Sequence, residues 1–120
     1  MVRHTVIYHM ATRADWEGTP PDANFVAATL ADEGFIHCTA EPERLLQVAN
    51  RFYRSTPGEW VILTVATAQL PAPLRWEAAD GHLFPHIYGP IARDAIVAVT
   101  PFPRNGGEFI LPLSLSEQIR

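Results

Sequence analysis

The stretch Trp60-Val61-Ile62-Leu63-Thr64-Val65-Ala66 decides the fold of this chain, because every position except Thr64 is apolar. A strand that faces solvent on one side alternates apolar and polar residues, whereas a strand covered on both faces is apolar throughout. The stretch therefore predicts the central strand of a sheet. The rest of the chain is expected to supply the strands beside it and the layers that cover it.

Shorter segments with strand composition lie on both sides of this central strand along the chain. They are rich in β-branched and aromatic residues or alternate between apolar and polar residues. Pro85 lacks the N–H group that a sheet ladder needs, so its segment is expected at an edge or in an irregular stretch. The predicted strands are 5–10, 35–38, 74–77, 84–88 and 95–100, followed by a hairpin turn at Asn105-Gly106-Gly107 that returns through 109–111.

The clearest helix is predicted from about Pro42 to Arg54, where apolar residues recur with the helical period on one face. Thr39 is placed to cap its start, and Pro57-Gly58 ends it. Two shorter helices are predicted at 12–17 and 24–31, the second with Phe25, Ala28 and Leu30 facing inward. One long and two short helices with a mainly antiparallel sheet give an α+β fold. The apolar stripe of the long helix is Leu45, Val48, Ala49, Phe52 and Tyr53.

Length and composition indicate one domain spanning residues 1–120, with 113–120 as a peripheral tail after Pro112. The net charge of −4 leaves nucleic-acid binding unsupported, since such domains usually carry a basic patch. No apolar run approaches the ~20 residues of a membrane-spanning helix, and Met1-Val2-Arg3-His4 leads directly into a strand pattern. We therefore expect a cytoplasmic protein without a membrane partner. The sequence leaves the oligomeric state open.

Three histidines lie in apolar segments that are far apart along the chain: His9, His37 and His86. An imidazole has a reference pKa near ~6.5, so it can donate or accept a proton at neutral pH. Strand alternation predicts which residues share a face with each one. His9 lies with Thr5 and Ile7, His37 lies with Phe35 and Thr39, and His86 lies with Phe84 and Tyr88. We predict that the three rings converge on one pocket.

Two other interpretations of these histidines stay open. Each ring could be a partly buried structural residue that bonds to the backbone, which is the interpretation we favour for His4 and His82 because of their terminal and loop positions. Three histidines also match a catalytic zinc site by number. None shares a tight i, i+2 or i+4 spacing with another, so no metal ligands are assigned. Cys38 points to the strand face opposite His37, which disfavours a Cys-His nucleophile pair.

The segments Ile7-Tyr8-His9, Glu33-Gly34-Phe35-Ile36-His37-Cys38-Thr39 and Phe84-Pro85-His86-Ile87-Tyr88-Gly89-Pro90-Ile91 resemble the domain-of-unknown-function 952 family of small bacterial proteins. The resemblance extends over nearly the whole chain. The family is in turn similar to the ADP-ribosyltransferase fold, particularly to RNA 2′-phosphotransferases. That fold is a split, mainly antiparallel sheet with a nicotinamide dinucleotide in its cleft.

The resemblance implies a role for each candidate residue. Three strands of that fold each supply one key side chain, which would here be His9, His37 and either His86 or Tyr88. His9 would contact a ribose, His37 and Thr39 would line the pocket with Phe35, and Tyr88 would stack on nicotinamide or adenine. Many ADP-ribosyltransferases carry a glutamate on the third strand, whereas this chain has His86 or Tyr88 there. The arginines that hold phosphate in the phosphotransferases have no matching motif, and the candidates here are Arg3 and Arg13.

The leading hypothesis is an enzyme, a transferase or hydrolase that uses NAD or another nucleotide in a histidine-lined cleft. His37 or His86 would act as general acid or base, and no cofactor besides NAD is suggested. The first alternative is a non-catalytic module that binds a nucleotide or small ligand. The second is a metal-dependent hydrolase that uses the three histidines.

Overall fold

The computed structural model describes residues 5–116, so His4 and Arg3, considered above, lie outside the described residues. The chain forms eight strands and four α-helices within this range. The strands are β1 (Val6–Thr12), β2 (Ile36–His37), β3 (Trp60–Ala66), β4 (Leu74–Ala79), β5 (His82–Ile87), β6 (Ile96–Phe102), β7 (Arg104–Asn105) and β8 (Glu108–Phe109). The helices are α1 (Arg13–Glu17), α2 (Ala28–Glu33), α3 (Pro42–Phe52) and α4 (Leu113–Ser116), with short 3₁₀ turns at Thr67–Gln69 and Arg93–Ala95.

All strand pairs are antiparallel, which confirms the predicted mixture of helices with mainly antiparallel sheets. Sheet 1 has the order β1-β3-β6, and sheet 2 has the order β2-β5-β4. β3 lies at the centre of sheet 1, as its apolar sequence predicts. The third ladder, β7-β8, is the hairpin around Gly106 and Gly107, both of which have positive φ.

One backbone bridge, between Tyr8 and Thr39, joins the two sheets, and residues of both sheets share an apolar core. The Tyr8 N–H donates to the Thr39 carbonyl at 2.7 Å, and the Thr39 N–H donates to the Tyr8 carbonyl at 2.8 Å. Thr39 follows β2 after one residue, so this bridge connects β1 of sheet 1 to the first strand of sheet 2. Beyond the bridge the two sheets part.

Sheet 1 is covered on both faces by separate apolar cores. On one face Ile7 and Leu63 pack with Ile36 and Ile87 of sheet 2 and with Phe25. On the other face, residues of β1, β3 and β6 pack against α3, β8 and α4: Tyr8, Ile62, Phe102, Leu45, Ala49, Phe109 and Leu115. The side chains that form a pocket between the sheets are therefore held by packed strands.

Pro85 occupies the central strand of sheet 2, so the expectation of an edge or irregular segment is wrong. The Pro85 carbonyl accepts from the Cys38 N–H at 3.1 Å, which shows that its backbone groups point toward β2. β2 contains only Ile36 and His37, which pair with Ile87 and His86. The missing N–H of Pro85 therefore falls where β2 has ended, and the ladder with β4 is left intact.

Three local predictions also require correction. The helix predicted at 24–31 begins at Ala28 instead, because Phe25 exchanges two backbone hydrogen bonds with Ile91 in an extended bridge. Thr39 does not cap α3: the N-cap is Glu41, and Thr39 is committed to the bridge with Tyr8. Leu115 of α4 is buried in the core, so the segment after Pro112 is not wholly peripheral, and residues 117–120 lie outside the described range.

Among residues 5–116, no helix combines the length and the apolar character that a membrane crossing requires.

Candidate functional site

A cleft of about 600 Å³ opens where the two sheets part beyond the Tyr8–Thr39 bridge. Its walls come from β1, the segment around β2, α3 and the β4–β5 hairpin, and His9, His37 and His86 all contribute to the lining. Most of the lining is apolar or aromatic. The aromatic residues that line it are Tyr8, Phe25, Phe35, Phe52, Tyr53, Trp60 and Phe84.

Phe35, His37 and His86 form a compact group of rings at one wall. His37 and His86 are directly opposite each other in the β2–β5 ladder, which brings their ring centroids to 5.1 Å. The Phe35 ring lies 4.7 Å from His37 and is stacked on His86 at 4.2 Å with an interplanar angle of 20°. This stacking fixes the plane of the His86 ring. The juxtaposition follows from strand register and alternation together.

Glu77 of β4 links His86 to Tyr88. Its Oε1 atom lies 2.7 Å from Nδ1 of His86 and accepts a hydrogen bond from the Tyr88 hydroxyl at 2.5 Å. The hydrogen bonds from Tyr88 and His86 lower the pKa of Glu77, so this carboxyl is ionised at neutral pH. The same contact raises the pKa of the Tyr88 phenol, because Glu77 accepts its proton in a hydrogen bond.

A carboxylate that accepts from Nδ1 fixes the tautomer of a neutral imidazole. Nδ1 of His86 then carries the proton, and Nε2 carries a lone pair. Tyr88 is not one of the lining residues, and it reaches the site through Glu77 and through its ring contact with Phe35 at 5.3 Å. The expected stacking of Tyr88 on a ligand is thus replaced in the structure by a polar contact. His86, Glu77 and Tyr88 are called the His86–Glu77–Tyr88 chain below.

His9 is buried, with 8% of its surface exposed, and its Nδ1 lies 2.7 Å from the carbonyl oxygen of His37. A carbonyl can only accept, so Nδ1 carries the proton and Nε2 is an acceptor. Burial lowers the pKa of His9 to about 4, against a weaker opposing effect of the hydrogen bond to His37. The ring is therefore neutral at physiological pH and presents a fixed acceptor beside the cleft.

The free edge of β1 supplies backbone groups to the cleft. Tyr8 directs its N–H and C=O away from β3, toward Thr39, whereas Arg13 donates to Glu59 at the end of β3. Because backbone groups alternate sides along a strand, Met10 directs its N–H and C=O to the same side as Tyr8. Met10 lines the cleft, and these two groups have no hydrogen-bond partner among the described residues.

Three buried side-chain atoms also lack a hydrogen-bond partner in the part of the chain that the structure describes: Oγ1 of Thr29, Oγ1 of Thr39 and Nε1 of Trp60. All three residues line this cleft. An unpaired buried polar atom costs about 1–3 kcal/mol, so such atoms are uncommon without a reason. The unpaired buried polar side-chain atoms of the described residues are thus concentrated in the walls of this cleft.

The charged residues of the lining are all acidic: Asp15, Glu33 and Asp80. Glu33 lies 3.0 Å from Nε2 of His37, whose side chain is half exposed at the rim. Asp80 is paired with Arg51 of α3 at 3.3 Å. Arg13 bonds to Glu17 and Glu59 and does not line the cleft, so it does not serve as the phosphate-holding arginine considered above.

No three His, Cys, Asp or Glu side chains within residues 5–116 are grouped in a way that would hold a metal ion. Cys38 is buried, and burial raises the pKa of its thiol, so a reactive thiolate is disfavoured. Cys38 packs in the apolar core with Ile36, which agrees with the prediction that it points to the face opposite His37. The polar side chains in and behind the wall of the cleft include imidazole, carboxylate and hydroxyl groups.

Sequence reasoning did not find Glu77, the Met10 backbone, Thr29 or Trp60. Glu77 was visible only as one polar residue of an alternating strand. Its role depends on a diagonal contact across the β4–β5 hairpin, because its direct ladder partner is Phe84 and His86 lies two residues further along β5. A glutamate on a strand that pairs with a histidine-bearing strand can indicate such a contact, but only when the register of the two strands is known. The Met10 groups leave no signal in side-chain chemistry.

The model of the family described as "Protein of unknown function (DUF952)" matches residues 10–99 of the chain. The crystal structure of protein CC0527 from Caulobacter crescentus has 29% sequence identity and a TM-score of 0.80, with 93% of this chain and 99% of that chain covered. A double mutant of the same protein gives 28% identity and a TM-score of 0.80 over the same coverage. The solution NMR structure of CC0527 gives 27% identity and a TM-score of 0.68, covering 88% of this chain and 90% of that one. No curated protein matches the chain.

Proposed function

The chain belongs to the DUF952 family of proteins of unknown function. From the geometry of its cleft we propose that it is an enzyme that breaks the N-glycosidic bond of a nicotinamide nucleoside or nucleotide. NAD is one ligand to test. The observation that carries this proposal is the His86–Glu77–Tyr88 chain in the wall of an aromatic cleft. A carboxylate that orients an imidazole is the arrangement of a general base. The aromatic walls suit a flat ring.

The binding groups of the cleft match the parts of such a ligand. A primary carboxamide has one N–H₂ donor and one carbonyl acceptor, which complements the C=O and N–H of Met10 on the edge of β1. Phe35 offers an aromatic ring against which a pyridine ring can pack. In this proposal Nε2 of His9 and Oγ1 of Thr39 would bond to ribose hydroxyls; the free Nε2 acceptor of His9 and the unpaired Oγ1 of Thr39 support it.

The reaction requires a base and no acid. When the bond between the ribose carbon and the pyridinium nitrogen breaks, the electron pair stays on nitrogen and neutral nicotinamide leaves. A water molecule forms the new bond to the ribose carbon, and Nε2 of His86 takes the released proton. Glu77 stabilises the imidazolium that results. An alcohol acceptor in place of water would make the same step a transfer.

An ADP-ribosyltransferase-like architecture is part of this proposal. Two antiparallel sheets that part at one edge of β1 support it. The central strand of sheet 2, β5, carries His86, and in this proposal it corresponds to the strand on which many such enzymes carry a glutamate. Glu77 supplies a carboxylate to the same place from the neighbouring strand. His37, half exposed beside Glu33, would then contact the ligand at the rim.

The test is nicotinamide release from nicotinamide riboside and from NAD, followed by chromatography. We expect release by the unmodified protein and a loss of about 10²–10⁴-fold in kcat for Glu77→Gln and His86→Gln. Glu43→Gln on α3 changes the same group outside the cleft and should leave the rate unchanged. If neither nicotinamide riboside nor NAD releases nicotinamide, the enzymatic proposal is overturned. If a ligand binds and survives intact, the chain is a binding module instead.

A further inference from the structure

The charge of the cleft narrows the substrate class of the proposed function, on which this inference rests. We infer that the ligand is a cationic pyridinium nucleoside without phosphate, and that related compounds carrying phosphate groups bind more weakly. The inference depends on the three carboxylates of the lining and on where the arginines of the chain are engaged. It concerns which nicotinamide compound is preferred and does not depend on whether that compound is cleaved.

The acidic residues surround the cleft from three different elements. Asp15 lies on α1, Glu33 lies on α2, and Asp80 lies in the turn between β4 and β5. Behind the wall, Glu77 adds a fourth carboxylate next to His86, and its charge is partly offset by Arg75, which lies opposite His86 in the β4–β5 ladder and over the Tyr88 ring. Asp15 has no hydrogen bond or ion pair through its carboxylate among the described residues, so its charge is not neutralised by a neighbour.

Cations that could balance a phosphate are not found in this lining. The chain contains no lysine, and none of the arginines within residues 5–116 lines the cleft. Arg51, which stands beside it, is paired with Asp80. Arg104 is held elsewhere by five backbone carbonyls, those of Tyr53, Arg54, Thr56, Gly58 and Gly107.

The aromatic rings favour the same sign of charge. The face of an aromatic ring is negative and attracts a cation. A pyridinium ring packed on Phe35 would gain this attraction, and it would also lie in the field of Asp15 and Glu33, whereas Arg51 offsets the charge of Asp80. A phosphate group on the same ligand would meet those carboxylates instead. Like charges in a partly desolvated cleft repel more strongly than in water.

Three probes separate these effects: nicotinamide riboside, nicotinamide mononucleotide and NAD. They share the pyridinium ring and the ribose, and only the last two carry phosphate. Isothermal titration calorimetry on the full chain gives the Kd of each compound at low and at high salt. Chromatography of the solution recovered from the calorimeter records any cleavage of the compound. We expect the riboside to bind at least about tenfold more tightly than the mononucleotide. The ratio should fall at high salt, because salt screens repulsion between partly exposed charges.

Asp15→Asn provides the matched variant, because the Asp15 side chain is not used to cap its own helix. The bond at this site runs from the Asp15 backbone N–H to Thr12. Asp32→Asn on α2 removes the same charge from an exposed residue that does not line the cleft. We expect Asp15→Asn to reduce the ratio of the Kd of the mononucleotide to the Kd of the riboside by about threefold. Asp32→Asn should leave this ratio unchanged.

Each outcome decides the matter. If the mononucleotide or NAD binds as tightly as the riboside, or if none of the three binds, the inference is overturned. If the riboside binds selectively and stays intact, the inference holds and the proposed chemistry fails. If NAD is cleaved and also preferred, the proposed chemistry holds and the inference fails.

Discussion

Three histidines that sit in similar apolar segments have three different environments. His9 is buried and bonded to a carbonyl, His37 is half exposed beside Glu33, and His86 is buried and bonded to Glu77. The difference assigns each ring a separate task in the proposed reaction. His9 is a fixed acceptor, His37 is a contact at the rim, and His86 is the base.

The buried ring of His9 makes stability depend on pH. Its pKa is lowered from 6.5 to about 4 in the folded chain, so the unfolded chain binds the proton more strongly. The stability that neutral His9 contributes is complete above about pH 6.5 and is lost as the pH falls toward 4. We expect the free energy of unfolding to drop by about 2 kcal/mol between pH 7 and pH 5 from this group alone.

Urea unfolding of the unmodified chain and of His9→Gln at these two pH values measures the effect. His9→Gln removes the titrating group, so its free energy of unfolding should fall by about 2 kcal/mol less between pH 7 and pH 5 than that of the unmodified chain. His82→Gln serves as the comparison, because it retains His9, lies outside the cleft lining and should follow the unmodified chain. Equal drops in the unmodified chain and His9→Gln would show that His9 is not held neutral by burial.

Thr39→Val is expected to affect stability and binding in opposite directions. The Thr39 side chain is 4% exposed, and its Oγ1 has no partner among the described residues. Valine has the same shape without the buried hydroxyl, so we expect the free energy of unfolding to rise by about 1 kcal/mol. We expect affinity for nicotinamide riboside to fall about fivefold, because a hydrogen bond to the ligand is lost. Urea unfolding and calorimetry give the two values, and a fall in both would show that the hydroxyl already has a structural role.

At the scale of elements, the patterns that depend on one segment were predictable. The apolar run of β3 and the helical period of α3 each indicate their burial without reference to any neighbour. Thr39 and Pro85 were misjudged because their roles depend on partners distant in sequence. Thr39 bonds to Tyr8 rather than to α3, and Pro85 is tolerated in a central strand because β2 is only two residues long.

The same division applies to the candidate site. Strand alternation predicted that Phe35 and Thr39 would accompany His37, since this requires only the local period of two. Glu77 could not be found in this way, because its contact with His86 is set by the register of β4 against β5. The open edge of β1 depends on where sheet 2 departs from sheet 1. Long-range pairing therefore supplies what single segments cannot.

Gly89 controls how the segment after β5 packs against the segment before β4. A Cβ at this position would lie 2.8 Å from the Cβ of Ala72, which is too close for two carbon atoms. The adjacent Tyr88 N–H donates to the Pro73 carbonyl, so this packing also positions the Tyr88 hydroxyl on Glu77. We expect Gly89→Ala to lower the free energy of unfolding by about 1–3 kcal/mol.

Ala72→Gly removes the atom with which the new methyl group collides. The double variant Gly89→Ala, Ala72→Gly should therefore recover most of the loss, which a double-mutant cycle by urea unfolding measures as a coupling energy. Nicotinamide release should recover in parallel, because Tyr88 returns to Glu77. Additive losses without recovery would place the cause of the Gly89 requirement elsewhere.

At the scale of the whole molecule, two sheets share an apolar core and are joined by one backbone bridge, and the cleft occupies the space where they part. Its walls hold the polar atoms that lack partners among residues 5–116, while the two cores on either side are apolar. A ligand that satisfies those atoms would contact both sheets. Binding is therefore expected to raise the Tm by mass action.

The most direct measurement is a two-dimensional NMR spectrum of the histidine ring nitrogens, recorded with and without nicotinamide riboside. His9, His37 and His86 line the cleft, whereas His82 bonds to Arg44 and is not part of the lining. We expect the signals of the first three rings to move together as ligand is added, with His82 unchanged and His9 protonated only at Nδ1. Signals of the three rings that stay in place, or a shift of His82 as large as theirs, would contradict the shared binding cleft.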